Sequence, residues 1–128
     1  MRLLLDTHAL IWWTRNSPSL GRAAQAAIED SDNEVWVSAI SALEIATKNR
    51  LGKLPNSDLL AYHFEREIQA ENFRAIPVTP THAQLAGNLQ ISNKDPFDRV
   101  LIAQSLLEHL TLVSNERSFD STGVARIW

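Results

Sequence analysis

The chain has 128 residues, a net charge of −3, 45% apolar and 21% charged side chains, and no cysteine. That length fits one domain with one core, expected to span residues 1–128. The missing cysteines exclude disulfides, thiolate metal sites and a cysteine nucleophile, and the negative charge confines any nucleic-acid contact to a local basic patch. Residues 2–5 read as a short buried strand and residues 7–15 as a helix closed by Asn16-Ser17-Pro18. An alanine-rich helix covers 22–29, a strand 34–37, and a strong helix 38–51 that ends at Gly52. Residues 59–71 are helical, with Leu60, Phe64 and Ile68 one turn apart on one face. Residues 75–78 form a short strand whose Pro77 argues for a sheet edge. Helices follow at 81–89 and 96–110, then strands at 111–114 and 124–128. Strands alternating with helices imply an α/β fold, a mainly parallel sheet with helices on both faces. The opening Met1–Leu5 resembles a signal peptide only until Asp6 and His8 interrupt it. Ala9–Trp13 is too short to cross a bilayer, so no membrane partner is expected.

Acidic residues fall just past the apolar runs. Asp6 follows Leu3-Leu4-Leu5, Glu44 lies on the helix after Val35-Trp36-Val37, Asp95 and Asp98 open the helix from Pro96, and Glu116 follows Leu112-Val113-Ser114. If the strands are parallel neighbours, these acids converge at one sheet edge, where open α/β sheets place their ligands. Carboxylates without cysteine or a spaced histidine pair suit a hard cation, Mg²⁺ or Mn²⁺. Each acid also has a plain structural reading. Asp6 caps the next helix. Ser41-Ala42-Leu43-Glu44 matches a capping box. Asp95 before Pro96 is an N-cap, and Asp98 sits in a first turn that favours negative charge. Ile40, Leu43, Thr47 and Leu51 read as the buried stripe of their helix, which puts Glu44 at the border of the core, where a lone charge needs a partner. Asp95 is therefore allotted to structure and Asp98 to the site.

At Leu3-Leu4-Leu5-Asp6-Thr7-His8, Val37-Ser38 with Glu44-Ile45, Asp95-Pro96-Phe97-Asp98-Arg99 and Leu112-Val113-Ser114 with Phe119, the chain resembles the PIN-domain ribonucleases. Within them it resembles the toxin of VapBC-type toxin–antitoxin pairs. The resemblance covers Leu3 to Trp128. It implies a three-layer α/β/α fold and an Mg²⁺ or Mn²⁺ site held by Asp6, Glu44 and Asp98. Glu116 stands at a fourth position where the family often has aspartate, and is one methylene longer. Thr7 and Ser114 match small hydroxyl positions that orient carboxylates. The resemblance further implies a cytoplasmic homodimer and a cognate antitoxin laid over the acidic cleft.

Such a site would hydrolyse RNA phosphodiesters with one or two metal ions. Lys48, Arg50 and Lys53 at the end of their helix, and Arg99 beside Asp98, are the candidate phosphate contacts. The plain reading of the first three is that cations favour a helix C-terminus. His8 reads as packing or surface. Of the adjacent Trp12 and Trp13, only one can face the core. Two other readings stay open: an inactive PIN-like partner that binds protein or RNA, and a phosphohydrolase of a small phosphate ester, for which no phosphate-cradling glycine loop is visible.

Overall fold

Leu3, Leu4 and Leu5 are fully buried because their strand, β1 (Arg2–Leu5), is the middle of a sheet covered on both faces. The computed structural model describes residues 1–128. Its five strands, β1, β2 (Glu34–Ser38), β3 (Arg74–Ile76), β4 (Thr111–Val113) and β5 (Arg126–Ile127), are all parallel in the order β3-β2-β1-β4-β5. A strand buried on both faces needs apolar side chains at every position, hence the continuous leucine run. Side chains alternate across the sheet. Leu3, Leu5, Val35, Val37 and Val113 join one core with the helices α1 (Thr7–Thr14), α2 (Arg22–Glu29), α4 (Asp58–Tyr62) and α5 (Phe64–Ala70). Leu4, Ile76 and Leu112 join the other, with α7 (Pro96–Glu108). Each fully buried leucine contributes about 1.5–3 kcal/mol, which offsets the cost of holding carboxylates at the sheet edge.

β3 is an edge strand, as expected, but it ends at Ile76, so Pro77 lies just past it and not within a strand over 75–78. The helix expected over 59–71 is two helices, α4 and α5, broken at His63 with φ −135° and ψ 40°. The apolar face survives the break, since Leu60 and Ile68 remain buried. A 3₁₀ segment, Arg117–Thr122, had no signal in the sequence; it buries Phe119 in the second core. The helix α6 (Pro80–Asn88) is capped by Thr79, whose hydroxyl accepts the His82 amide at 3.2 Å.

The largest departure is in α3 (Ala39–Arg50). Its buried residues are Ser41, Glu44 and Ile45, while Leu43 and Leu51 are 55% and 51% exposed. The expected stripe of Ile40, Leu43, Thr47 and Leu51 is therefore wrong. The N-cap is Ser38, whose hydroxyl accepts the Ile40 amide at 3.1 Å, so Ser41 cannot open a capping box with Glu44. Ser41 instead meets Thr7 across the α1–α3 contact, 3.0 Å between hydroxyl oxygens. That polar contact turns the Glu44 face inward.

Candidate acidic site at the sheet edge

The order of strand placement reverses at β1: β2 and β3 are laid down on one side of it, then β4 and β5 on the other. That is the switch point at which open α/β sheets leave a crevice outside their strand ends. Asp6 sits there as the residue after β1, its amide donating to the Val113 carbonyl at 3.0 Å. Its carboxylate accepts the Ala9 amide at 2.8 Å, so it caps α1 as well. Asp6 is only 5% exposed, and burial raises its pKa. Hydrogen bonds from Ser114 and Ala9 and the nearby charge of His8 pull the pKa down, whereas the charge of Glu44 raises it.

Glu44 reaches the same region from α3 and is also buried. Its Oε2 lies 2.5 Å from the Lys48 ammonium, one helical turn away. Asp98 comes from the first turn of α7, behind Asp95, which caps that helix by accepting the Phe97 amide at 2.8 Å. The Asp98 pKa is pushed up from 3.8 to about 6, mainly by burial and further by the charges of Asp95, Glu44 and Asp6. The Asn93 side chain opposes this by donating to Oδ2 at 3.1 Å. Asp6, Glu44 and Asp98 are thus close enough for the charge of one to disfavour that of another, yet no three acidic or histidine side chains in the chain close into a ligand shell. Like charges resist such closure, and Glu44 is already turned to Lys48. The donor chemistry fits a hard divalent cation: all oxygen, buried at Asp6 and Glu44 and part-buried at Asp98, and penalised by repulsion that a cation would relieve.

The remaining candidates divide. Ser114 is fully buried, and a hydrogen bond from its side chain to the Asp6 carboxylate lowers that group's pKa. Thr7 does not orient a carboxylate; its hydroxyl is engaged with Ser41. Glu116 is exposed, and its charge is not among those that shift Asp6 or Asp98. It is tied to the site through its amide, which donates to Ser114 Oγ at 3.1 Å. Arg50 and Lys53 are exposed at the end of α3, while Lys48 is drawn back to Glu44. Arg99 corrects the sequence reading outright. Its guanidinium donates to the carbonyls of Ala86, Gly87, Leu89, Ile91 and Asn93 at 2.6–3.5 Å, which leaves it no donor for a phosphate. Sequence reasoning missed Ser41 and Asn93. Asn93 carried a readable signal, two residues before the N-cap Asp95, whose amide donates to its side-chain oxygen at 2.8 Å.

The placement of Glu116 leads to a graded result. If the chain has the metal-dependent nuclease activity that the sequence resemblance implies, Glu116→Gln should weaken it less than Glu44→Gln, with partial recovery at higher Mn²⁺, and Glu116→Asp should be tolerated. Cleavage rate against Mn²⁺ concentration for the three variants checks this. Equal inactivity of Glu116→Gln and Glu44→Gln at every concentration would place Glu116 among the direct ligands.

Two clefts elsewhere, one lined by Ile11, Arg15, Asp58 and Glu67 and the other by Asp30, Asp32, Asn72 and Arg74, contain none of these acids. Fold and edge together define the class: an α/β domain that presents carboxylates, and no glycine-rich phosphate loop, at the ends of its parallel strands. The chain belongs to the PIN domain family, whose model matches residues 3–125. It is 34% identical over 122 residues to Ribonuclease VapC22 of Mycobacterium tuberculosis, a match covering 93% of this chain and 90% of that protein. Its fold is similar to a chain of VapBC2 from Rickettsia felis bound to a promoter DNA fragment, with TM-score 0.71, 15% identity and 99% and 98% of the two chains covered. It is likewise similar to a chain of FitAcB from Neisseria gonorrhoeae, with TM-score 0.68, 22% identity and 100% and 97% covered.

Proposed function

We propose that the protein is a metal-dependent endoribonuclease, the toxin of a type II toxin–antitoxin pair. The observation that carries this reading is that Asp6, Glu44 and Asp98, brought from three separate elements, gather at the carboxyl edge of the sheet, near enough that the charge of Glu44 raises the pKa of both aspartates. The similarity to a protein named as a ribonuclease supports the reaction, and an open sheet edge suits a polymeric substrate. Asp6, Glu44 and Asp98 would hold Mg²⁺ or Mn²⁺, which when bound supplies charge relief at the phosphoryl oxygens and activation of water. Ser114 and the Ala9 amide fix the Asp6 carboxylate, and Asn93 fixes that of Asp98. Lys48 balances the Glu44 charge. Exposed Arg50 and Lys53 are the cations free to meet RNA phosphates. Toxin–antitoxin complexes among the structural neighbours support a cognate antitoxin as partner. No helix is long and apolar enough to cross a membrane. A single domain over residues 1–128, a homodimer and a cytoplasmic location complete the proposal.

The Glu44–Lys48 pair favours one alternative, a non-catalytic PIN-like binder of protein or RNA, because it already satisfies one of the three acids. Incubation of the purified protein with mixed RNAs, and separately with a generic phosphate ester, each with Mn²⁺ or with EDTA, decides. RNA cleavage abolished by EDTA supports the nuclease; RNA left intact under every condition overturns it.

Metal should also stabilise the fold, since a ligand bound only by the native state raises its melting temperature. The pH dependence has a definite sign. Asp98 has a raised pKa, so the stability linked to its proton is complete below 3.8 and is lost as pH rises through about 6. The burial that raises the Asp6 pKa acts in the same direction. Metal requires the ionised carboxylates, so its stabilisation should grow across that window. Melting with and without millimolar Mn²⁺ is expected to differ by several degrees at pH 7.5 and hardly at all at pH 5. A shift of equal size at both pH values would count against these ligands.

A further inference from the structure

The strands are parallel and in register, so Asp6, Ser114 and Trp128 stand at one level, each directly after the C-terminal end of its strand: Leu5 pairs with Val113, and Val113 with Ile127. Trp128 therefore lies on the acidic edge. It does not stand alone. Its ring meets Trp12 edge-on, with centroids 5.6 Å apart, and Trp12 lies 5.4 Å from His8 at an interplanar angle of 32°. His8 and Trp12 are one turn apart on α1, the helix that Asp6 caps. The row His8–Trp12–Trp128 thus begins beside Asp6, whose carboxylate senses the His8 charge, and runs along the edge towards β5. Trp13 takes no part; its indole N–H donates to Glu71 at 3.0 Å and its ring packs near Phe73.

The inner side of the row is fixed. A Cβ at Gly21 would come within 2.7 Å of Trp128, so the absence of a side chain there lets the indole lie against the N-cap of α2. Trp12 and Trp128 pack against the larger core yet remain half-buried, and His8 is exposed. Rings held on one side and open on the other are preorganised for a planar ligand at low entropic cost. Nucleobases are such ligands, and stacking tolerates any base because every base has a π-face.

We propose that His8, Trp12 and Trp128 form a shelf on which unpaired bases flanking the scissile phosphate of a single-stranded RNA stack. The proposal rests on the ribonuclease reading and deepens it by naming the residues that would hold the bases beside the scissile phosphate. It makes His8 a binding residue whose aromatic plane matters.

The test uses full-length protein and a single-stranded oligoribonucleotide with Mn²⁺. His8→Ala should raise KM about tenfold, the order expected for one lost base stack, with kcat within about twofold and an unchanged melt. His8→Phe should restore KM to within about threefold of the wild type, whereas His8→Gln should behave as His8→Ala. Tryptophan fluorescence should be quenched by the oligonucleotide and far less by one of equal length with abasic positions. The shelf is overturned if wild type cleaves the RNA and His8→Ala shares its KM, or if His8→Gln restores KM and His8→Phe does not. Should wild type neither cleave nor bind any RNA, the ribonuclease reading falls and the shelf falls with it.

Discussion

Asp6→Asn should lower RNA cleavage by about a hundredfold or more, while melting no lower than the wild type in metal-free buffer at neutral pH. Asparagine keeps the side-chain oxygen that accepts the Ala9 amide at 2.8 Å, so the α1 cap survives. It removes a charge that burial and Glu44 disfavour, which is why the metal-free fold should not suffer. What it loses is the anionic donor at the switch point, without which the proposed divalent cation would have one ligand fewer. Activity and stability therefore separate in opposite directions, as they do where a site is held under electrostatic strain. The measurement is cleavage of a mixed RNA pool beside a thermal melt of the same preparation. Cleavage at the wild-type rate, with contaminating nuclease excluded, would remove Asp6 from the site.

That separation shows why the acids were legible in the sequence. A fully apolar run such as Leu3-Leu4-Leu5 tolerates burial on both faces only in a parallel sheet, and a charge placed immediately after it can lie only at the sheet's edge. Asp6 is of this kind; Asp98 and the capping Asp95 follow no strand and were legible instead from the Asp-Pro start of α7. What could not be read is direction around a helix. Leu43 and Leu51 looked like core by type, yet the face of α3 that turns inward carries Ser41 and Glu44, because the Thr7 hydroxyl waits for Ser41 across 34 positions of chain. The pairing is long-range and polar, so apolar periodicity is blind to it. His63 interrupts 59–71 without any glycine or proline to announce it. Arg99 was misallotted for a related reason: adjacency to Asp98 in sequence says nothing about facing, since neighbours on a helix diverge by more than a quarter turn.

Arg99→Lys should accordingly act on the fold first and on catalysis second. The guanidinium makes its shortest bonds to the carbonyls of Leu89, Asn93 and Ala86, at 2.6, 2.7 and 2.8 Å. It thereby caps the end of α6 and ties down the loop that leads into α7. A lysine ammonium keeps the charge but is a point donor and cannot span acceptors arranged around a planar fork. Losing two or three charge-assisted bonds to partly buried carbonyls should cost about 2–4 kcal/mol, roughly a 10 °C fall in melting temperature for a domain of this size. The loop it releases holds Asn93, which donates to Asp98 Oδ2 at 3.1 Å, so the acidic site loosens with it. Cleavage should drop, mostly in kcat, and millimolar Mn²⁺ should recover part of both the melt and the rate by re-ordering Asp98. A direct phosphate contact makes the opposite forecast: lysine retains the charge, the melt stays at the wild-type value, and KM for RNA alone rises. Thermal melts and a kcat–KM separation on Arg99→Lys, with Lys53→Ala as the comparison for an exposed cation, distinguish the two. An unshifted melt with a raised KM would return Arg99 to the substrate and leave the α6–α7 loop to be held by its remaining contacts.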